Sequence, residues 1–118
     1  MKESEANIQK PILDWGKVMR LPMRRLNRIG THTKDGFTPS PTKGMADIHC
    51  ELIIAGIPVS VWLECKTKRG KLSESQETFR EGVNSYGGFY FVVRSIEDVE
   101  KAFDVILADA RLFKLMNA

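Results

Sequence analysis

Residues 47–66 read Asp47-Ile48-His49-Cys50-Glu51-Leu52-Ile53-Ile54, then Ala55-Gly56-Ile57-Pro58, then Val59-Ser60-Val61-Trp62-Leu63-Glu64-Cys65-Lys66. Two runs rich in β-branched and apolar residues flank a turn-forming tetrapeptide, which is the pattern of a β-hairpin. With Ile54 facing Val59 across that connection, Asp47 lies opposite Lys66 and His49 opposite Glu64. Side chains alternate along a strand, so Asp47, Glu64 and Lys66 share one face. The other face carries Ile48, Cys50, Leu52 and Ile54 against Val59, Val61, Leu63 and Cys65, all of them apolar. A slip of one residue destroys both patterns.

An acid followed by acid-x-Lys on one sheet face is a minimal kit for metal-assisted phosphodiester hydrolysis. That reaction is so slow uncatalysed that enzymes lower such barriers by up to about 23 kcal/mol, beyond the reach of one side chain. A cation is therefore expected. Asp47 and Glu64 supply hard oxygen ligands suited to Mg²⁺, which takes one or two protein carboxylates plus substrate phosphate. Lys66 points to the same side, where its ammonium can orient the attacking water and stabilise charge on the phosphate. A cross-strand ion pair on a solvated sheet face would use the same residue types, and the short motif alone does not separate the two.

Downstream, Thr67-Lys68-Arg69-Gly70-Lys71 is a basic loop, and Ser73-Glu74-Ser75-Gln76 has the form of a capping box opening a helix. Gln76, Phe79, Val83 and Tyr86 fall on one helical stripe, which turns Gln76 towards the sheet. Gly87-Gly88 and the apolar run Phe89-Tyr90-Phe91-Val92-Val93-Arg94 give a further strand. Ser95 with Asp98 then caps a last helix.

Taken jointly, these residues resemble the virus-type replication-repair nuclease (VRR-NUC) domain, a branch of the PD-(D/E)XK nucleases. The resemblance covers most of the chain. It is carried by Glu5 with Ile8-Gln9 in an opening helix, Arg25-Leu26-Asn27 in a strand, Gly44 to Asp47, Glu64 to Lys66, Gly70 through Gln76, and Val92 to Ser95. It implies an α/β fold, an α+β mixed sheet with a small αβββαβ core and an additional C-terminal helix, filling residues 1–118 as one domain. It also implies that Asp47, Glu64 and the backbone carbonyl of Cys65 bind Mg²⁺ or Mn²⁺, that Lys66 is the catalytic lysine, that Glu5 is an accessory acid and that Gln76 is a polar active-site residue. Ala46 stands where the superfamily's motif has proline, and Cys65 where it usually has Val or Ile.

The residues themselves add one conflicting expectation. Pro11 interrupts the stripe Ile8, Ile12, Trp15, Met19, and proline inside a helix costs about 3 kcal/mol, whereas in the first turn it costs little. A helix beginning near Lys10 follows, with Glu5 in a non-helical lead-in.

A chain of 118 residues is large enough for one core and too small for two. Its two cysteines are not directly opposed in the hairpin, and no signal peptide is visible, so the expectation is a reduced protein in a cytoplasm, that of the host cell if phage-encoded. No apolar run approaches the roughly 20 residues of a membrane span. His32 and His49 lack metal-ligand spacing, and His49 reads as a partly exposed strand residue beside Glu64.

The net charge is only +3, but it is unevenly spread. Between Asp14 and Asp35 the chain carries Lys17, Arg20, Arg24, Arg25, Arg28 and Lys34 with no acid, and Lys43 follows. An acid-free basic run of this kind reads as a phosphate-contacting face. With Asn27 and the loop residues Lys68 and Lys71, it defines the DNA-binding set Arg24, Arg25, Asn27, Arg28, Lys34, Lys43, Lys68 and Lys71. Residues 30–43 are polar and rich in turn formers, and read as a mobile loop. The C-terminal stripe Ile96, Val99, Phe103, Ile106, Ala110, followed by Leu112, Phe113, Leu115 and Met116, offers either core packing or a homodimer interface. The combined expectation is a metal-dependent endonuclease cutting branched DNA, of the Holliday-junction-resolvase kind. The alternatives are a DNA-architecture-binding module without catalysis and a flap or single-strand nuclease.

Overall fold

The structure, a computed structural model, describes residues 4–26, 31–33, 36–38 and 44–109. In chain order its elements are α1 (Glu5–Val18), β1 (Met23–Arg25), β2 (Thr31–Thr33), β3 (Gly36–Thr38), β4 (Ile48–Ile54), β5 (Ile57–Cys65), α2 (Glu74–Ser85), β6 (Phe89–Val93) and α3 (Ile96–Leu107). Strands β1, β4, β5 and β6 form a mixed sheet in that spatial order, with β4 antiparallel to both neighbours and β6 parallel to β5. The parallel step requires a crossover, and α2 supplies it. The expected mixed α+β sheet with three helices is therefore present. The loop expected at 30–43 instead holds a short antiparallel pair, β2 with β3, in which Thr31 faces Thr38.

The hairpin register differs from the expected one by two residues. Ile54 pairs with Ile57, so the connection is only Ala55-Gly56, and both residues have positive φ (52° and 80°), as a tight primed turn requires. Pro58 consequently lies inside β5, opposite Ile53. It is tolerated because residues next to a hydrogen-bonded closing pair direct their N–H away from the partner strand, and pairing with β6 begins only at Val61. A shift of two preserves the faces but changes the partners. His49 now faces Trp62, not Glu64, and the same register continued by one pair sets Asp47 across from Glu64 instead of Lys66.

One face of the sheet forms the core. Ile48, Cys50, Val61, Leu63, Cys65 and Val93 are fully buried there against Ile8 and Ile12 of α1 and Val99 and Ile106 of α3. The rings of Trp15 and Phe103 join the two helices, with centroids 5.8 Å apart. Helix α2 covers the opposite face through Phe79, whose ring contacts Trp62 and Tyr90. Its inward stripe stops at Val83, because Tyr86 is the C-cap and 92% exposed.

Helix α1 starts at Glu5, not near Lys10, and runs through Pro11. Ser4 caps it by accepting a hydrogen bond from the Asn7 N–H at 3.2 Å. Proline removes the bond to the carbonyl four residues back, that of Asn7, but both residues lie on the exposed side where solvent can take the carbonyl. The cost is offset by the buried stripe Ile8, Ile12 and Gly16. The last of these packs so closely on β1 that a Cβ there would lie 2.6 Å from the Met23 sulfur.

Both cysteines are free and buried. Burial, with a smaller contribution from the charge of Glu51, pushes the Cys50 thiol up from 9.0 to about 11. The folded state thus holds this proton more tightly than the unfolded chain. The associated stability is complete below the unfolded pKa and is lost as pH rises from about 9 towards about 11. Urea midpoints measured from pH 8 to 11 should fall over that interval, and Cys50→Val should flatten the decline; an identical slope in the variant would show that Cys50 does not contribute.

Candidate active site

The chain enters β4 through Gly44, which has φ of 85° and is so close to the first turn of α2 that a Cβ would sit 2.3 Å from the Ser75 carbonyl oxygen. No other residue type fits without moving the helix. This contact draws the start of β4 against the N-terminus of α2, and Asp47 follows three residues later.

Four polar side chains are buried at this end of the sheet: Asp47 (3% exposed), Glu64 (0%), Lys66 (9%) and Gln76 (9%). Asp47 Oδ2 accepts the Cys65 backbone N–H at 2.8 Å. Glu64 Oε1 accepts from Gln76 Nε2 at 2.9 Å. The same Gln76 side-chain amide completes the capping box, its Oε1 accepting the Ser73 N–H at 2.8 Å while the Gln76 backbone N–H donates to Ser73 Oγ at 3.2 Å. Gln76 therefore caps α2 with one end of its amide and fixes Glu64 with the other.

Lys66 Nζ lies 3.8 Å from Glu64 Oε1 and 3.9 Å from Glu5 Oε1. Glu5 is the first residue of α1, so its carboxylate sits at the positive end of that helix, with its side chain 44% exposed. One carboxylate oxygen each from Glu5, Asp47 and Glu64 lies within 4.8 Å of the others. In an extended residue the N–H and C=O leave the strand on the same side, so the Cys65 carbonyl opens towards Asp47. This donor set consists of hard oxygens, the chemistry that Mg²⁺ and Mn²⁺ accept. Three carboxylates this close repel, and Lys66 compensates only part of their charge.

The remaining sequence-derived residues separate. His49 stands outside the carboxylate group: its ring packs on Trp62 with centroids 4.2 Å apart, and Nε2 lies 3.0 Å from Ser60 Oγ and 3.3 Å from Glu51 Oε2. Arg24 pairs with His49 and so shares the site's face, whereas Arg25 pairs with the core residue Ile48 and projects to the other side. Lys68 and Lys71 are exposed on the loop after Lys66. Asn27, Arg28, Lys34 and Lys43, and the C-terminal residues from Ala110, lie outside the described residues.

Two features escaped the sequence reading. One is the row Arg24, His49, Trp62 and Tyr90, which the pairings align across one face of the sheet next to the carboxylates. The other is Arg94, whose Nη1 donates to the carbonyls of Thr67 and Gly70, the latter at 3.0 Å. Its position at the end of an apolar strand running parallel to β5 was the available signal. No family model, curated protein or solved structure matches the chain.

The Gln76–Glu64 contact sets the expected outcome of Gln76→Glu. A glutamate still fits the third position of a capping box, but it confronts the buried Glu64 carboxylate where an amide N–H had donated. The variant should lose about 1–3 kcal/mol at neutral pH, read as a lower melting temperature, and recover part of it with added Mn²⁺. An unchanged melting temperature would mean that the amide contributes only the helix cap.

Proposed function

We propose that the chain is a divalent-metal-dependent deoxyribonuclease of the PD-(D/E)XK type, similar to the VRR-NUC domain, that cuts branched DNA. The supporting observation is the convergence of Asp47, Glu64, Lys66 and Glu5 at one strand end, three of them buried. Burying such groups costs several kcal/mol per ion, and an apolar replacement serves stability as well or better. A site that uses their charge accounts for that cost.

Asp47, Glu64 and the Cys65 carbonyl would hold Mg²⁺ or Mn²⁺, with Glu5 beside them. When bound, the cation supplies Lewis-acid activation of the phosphodiester and a nucleophilic water. The protein's own groups do the rest. The Cys65 N–H and the Gln76 amide orient Asp47 and Glu64, each through one oxygen. Lys66 presents its ammonium beside Glu64, where it stabilises the charge developing on the phosphate. Arg24 stands on the same face, and Lys68 and Lys71 follow from the adjacent loop, where they contact the DNA backbone.

A homodimer belongs to the same proposal, since two cuts on opposite strands need two sites. Val105 and Leu107 are more than half exposed on the last turn of α3, just before the apolar C-terminal residues.

Incubation with junction, flap, splayed and linear duplex DNA in Mg²⁺ or Mn²⁺ tests the reading. Wild-type protein should cleave branched DNA and stop on addition of EDTA. Asp47→Asn and Glu64→Gln should abolish cleavage while keeping or tightening binding, because each removes a negative charge facing phosphate. Lys66→Ala should reduce turnover by about 10²-fold or more with little effect on affinity. Cleavage by both acid variants at the wild-type rate would refute the assignment. Binding of junction DNA without metal-dependent cleavage would favour the architectural module instead.

A further inference from the structure

Arg94 is the last residue before the cap of α3, and its position is fixed twice. Its backbone N–H donates to Asp98 Oδ2 at 2.9 Å, while the Asp98 N–H donates to the Oγ of the cap residue Ser95 at 3.2 Å. Its guanidinium then reaches across from the end of β6 to the turn that follows β5. There Nη1 donates to the carbonyls of Thr67 and Gly70, the two residues that close this turn through the Gly70 N–H to Thr67 carbonyl bond at 3.0 Å. A planar guanidinium with several donors on a rigid fork suits such a two-point hold, and an ammonium does not.

The turn in question lies against Lys66. A Cβ added at Gly70 would stand 3.3 Å from Lys66 Cδ, so the backbone there forms one wall of the lysine's aliphatic stem. The start of the lysine is fixed as well, by its N–H to the Val93 carbonyl at 3.1 Å. Between this wall and the two carboxylates, the Lys66 ammonium has a defined place.

We infer that Arg94 is a positioning residue for Lys66: it clamps the Thr67–Gly70 turn, and the clamped turn directs the lysine's ammonium into the carboxylate site. The catalytic consequence rests on the nuclease reading above, but the geometric one does not. Misplacement of a reacting group by about 1 Å costs about 10²-fold in rate. The Arg94 guanidinium is engaged with backbone carbonyls of the turn, so its removal should act on turnover and leave DNA affinity nearly intact.

The experiment has two readouts on the wild-type chain, Arg94→Ala, Arg94→Lys and Gly70→Ala. The first is the rate of acetylation of the Lys66 ε-amine by sulfo-NHS-acetate, followed by peptide mass spectrometry with exposed Lys101 as internal reference. Lys66 should react several-fold faster in Arg94→Ala than in wild type, with Lys101 unchanged. The second is cleavage of junction DNA in Mn²⁺, where kcat should fall by about 10²-fold in Arg94→Ala with KM within about threefold. Arg94→Lys should recover part of the rate by engaging one carbonyl. Gly70→Ala, which keeps Arg94 but presses on both Thr67 Oγ1 (3.2 Å from the added Cβ) and the lysine stem (3.3 Å), should also lower kcat.

Wild-type Lys66 labelling together with wild-type turnover in Arg94→Ala would overturn the inference, as would a loss confined to KM, which would make Arg94 a phosphate contact. If the wild type cleaves no DNA, the nuclease reading fails and the labelling rates alone decide the role of Arg94. If Arg94→Ala does not fold, Arg94→Lys and Gly70→Ala decide it by the same readouts.

Discussion

Two residues with positive φ, Ala55 and Gly56, hold the two longest strands in one register, and that pairing governs both sides of the sheet. In this register the even-numbered side chains of β4 meet the odd-numbered ones of β5 in the core, and the alternate set forms the polar end. A slip of one residue would place Asp47 in the apolar layer and Ile48 among the buried polar groups. A slip of two would keep the faces while sliding the two acids apart by two residue rises, roughly 7 Å. Only the observed pairing brings Asp47 and Glu64 across from one another. The core and the carboxylate group are therefore not independent: the apolar contacts that stabilise the hairpin also determine the spacing of the acids.

The polar end is built mainly by backbone. Asp47 is held by a strand N–H, Glu64 by an amide that also caps a helix, Glu5 by the start of another helix, and Lys66 by a turn with its carbonyls clamped. Each charged group is attached to a secondary-structure terminus. Side-chain entropy is thus lost during folding, which is the physical content of preorganisation.

The faces of the hairpin were legible because side-chain alternation has a period of two and every residue of the inner set is apolar. The register was not, because Ala55-Gly56 lacks the asparagine or aspartate that usually marks a primed turn, and Pro58 reads as a turn residue although it sits where no N–H is needed. Gln76 was legible as both a cap and a residue turned towards the sheet, since the stripe it belongs to and the serine three residues before it are local signals. Glu5 was obscured by Pro11. The cost of that proline depends on the exposure of the Asn7 carbonyl, which only the tertiary structure gives. Arg24 and Arg25 were indistinguishable as adjacent charges, and only pairing with β4 separates them. Arg94 bonds to turn carbonyls 27 and 24 residues earlier in the sequence, a relation that no local pattern carries.

Among the described residues the order β1-β4-β5-β6 has two edge strands, and they differ in character. Strand β6 is five residues of Phe, Tyr and Val, with helices α2 and α3 packed on its two faces. Strand β1 is three residues long and carries Arg24 and Arg25, both exposed, one on each face. Paired arginines on a short edge strand are a recognised deterrent to strand addition by another molecule. These two charges thus guard this edge of the sheet against strand addition, and a variant stripped of both would present the edge with its gatekeepers removed. The change would be colloidal before it is anything else, and light scattering on the free protein reads it directly.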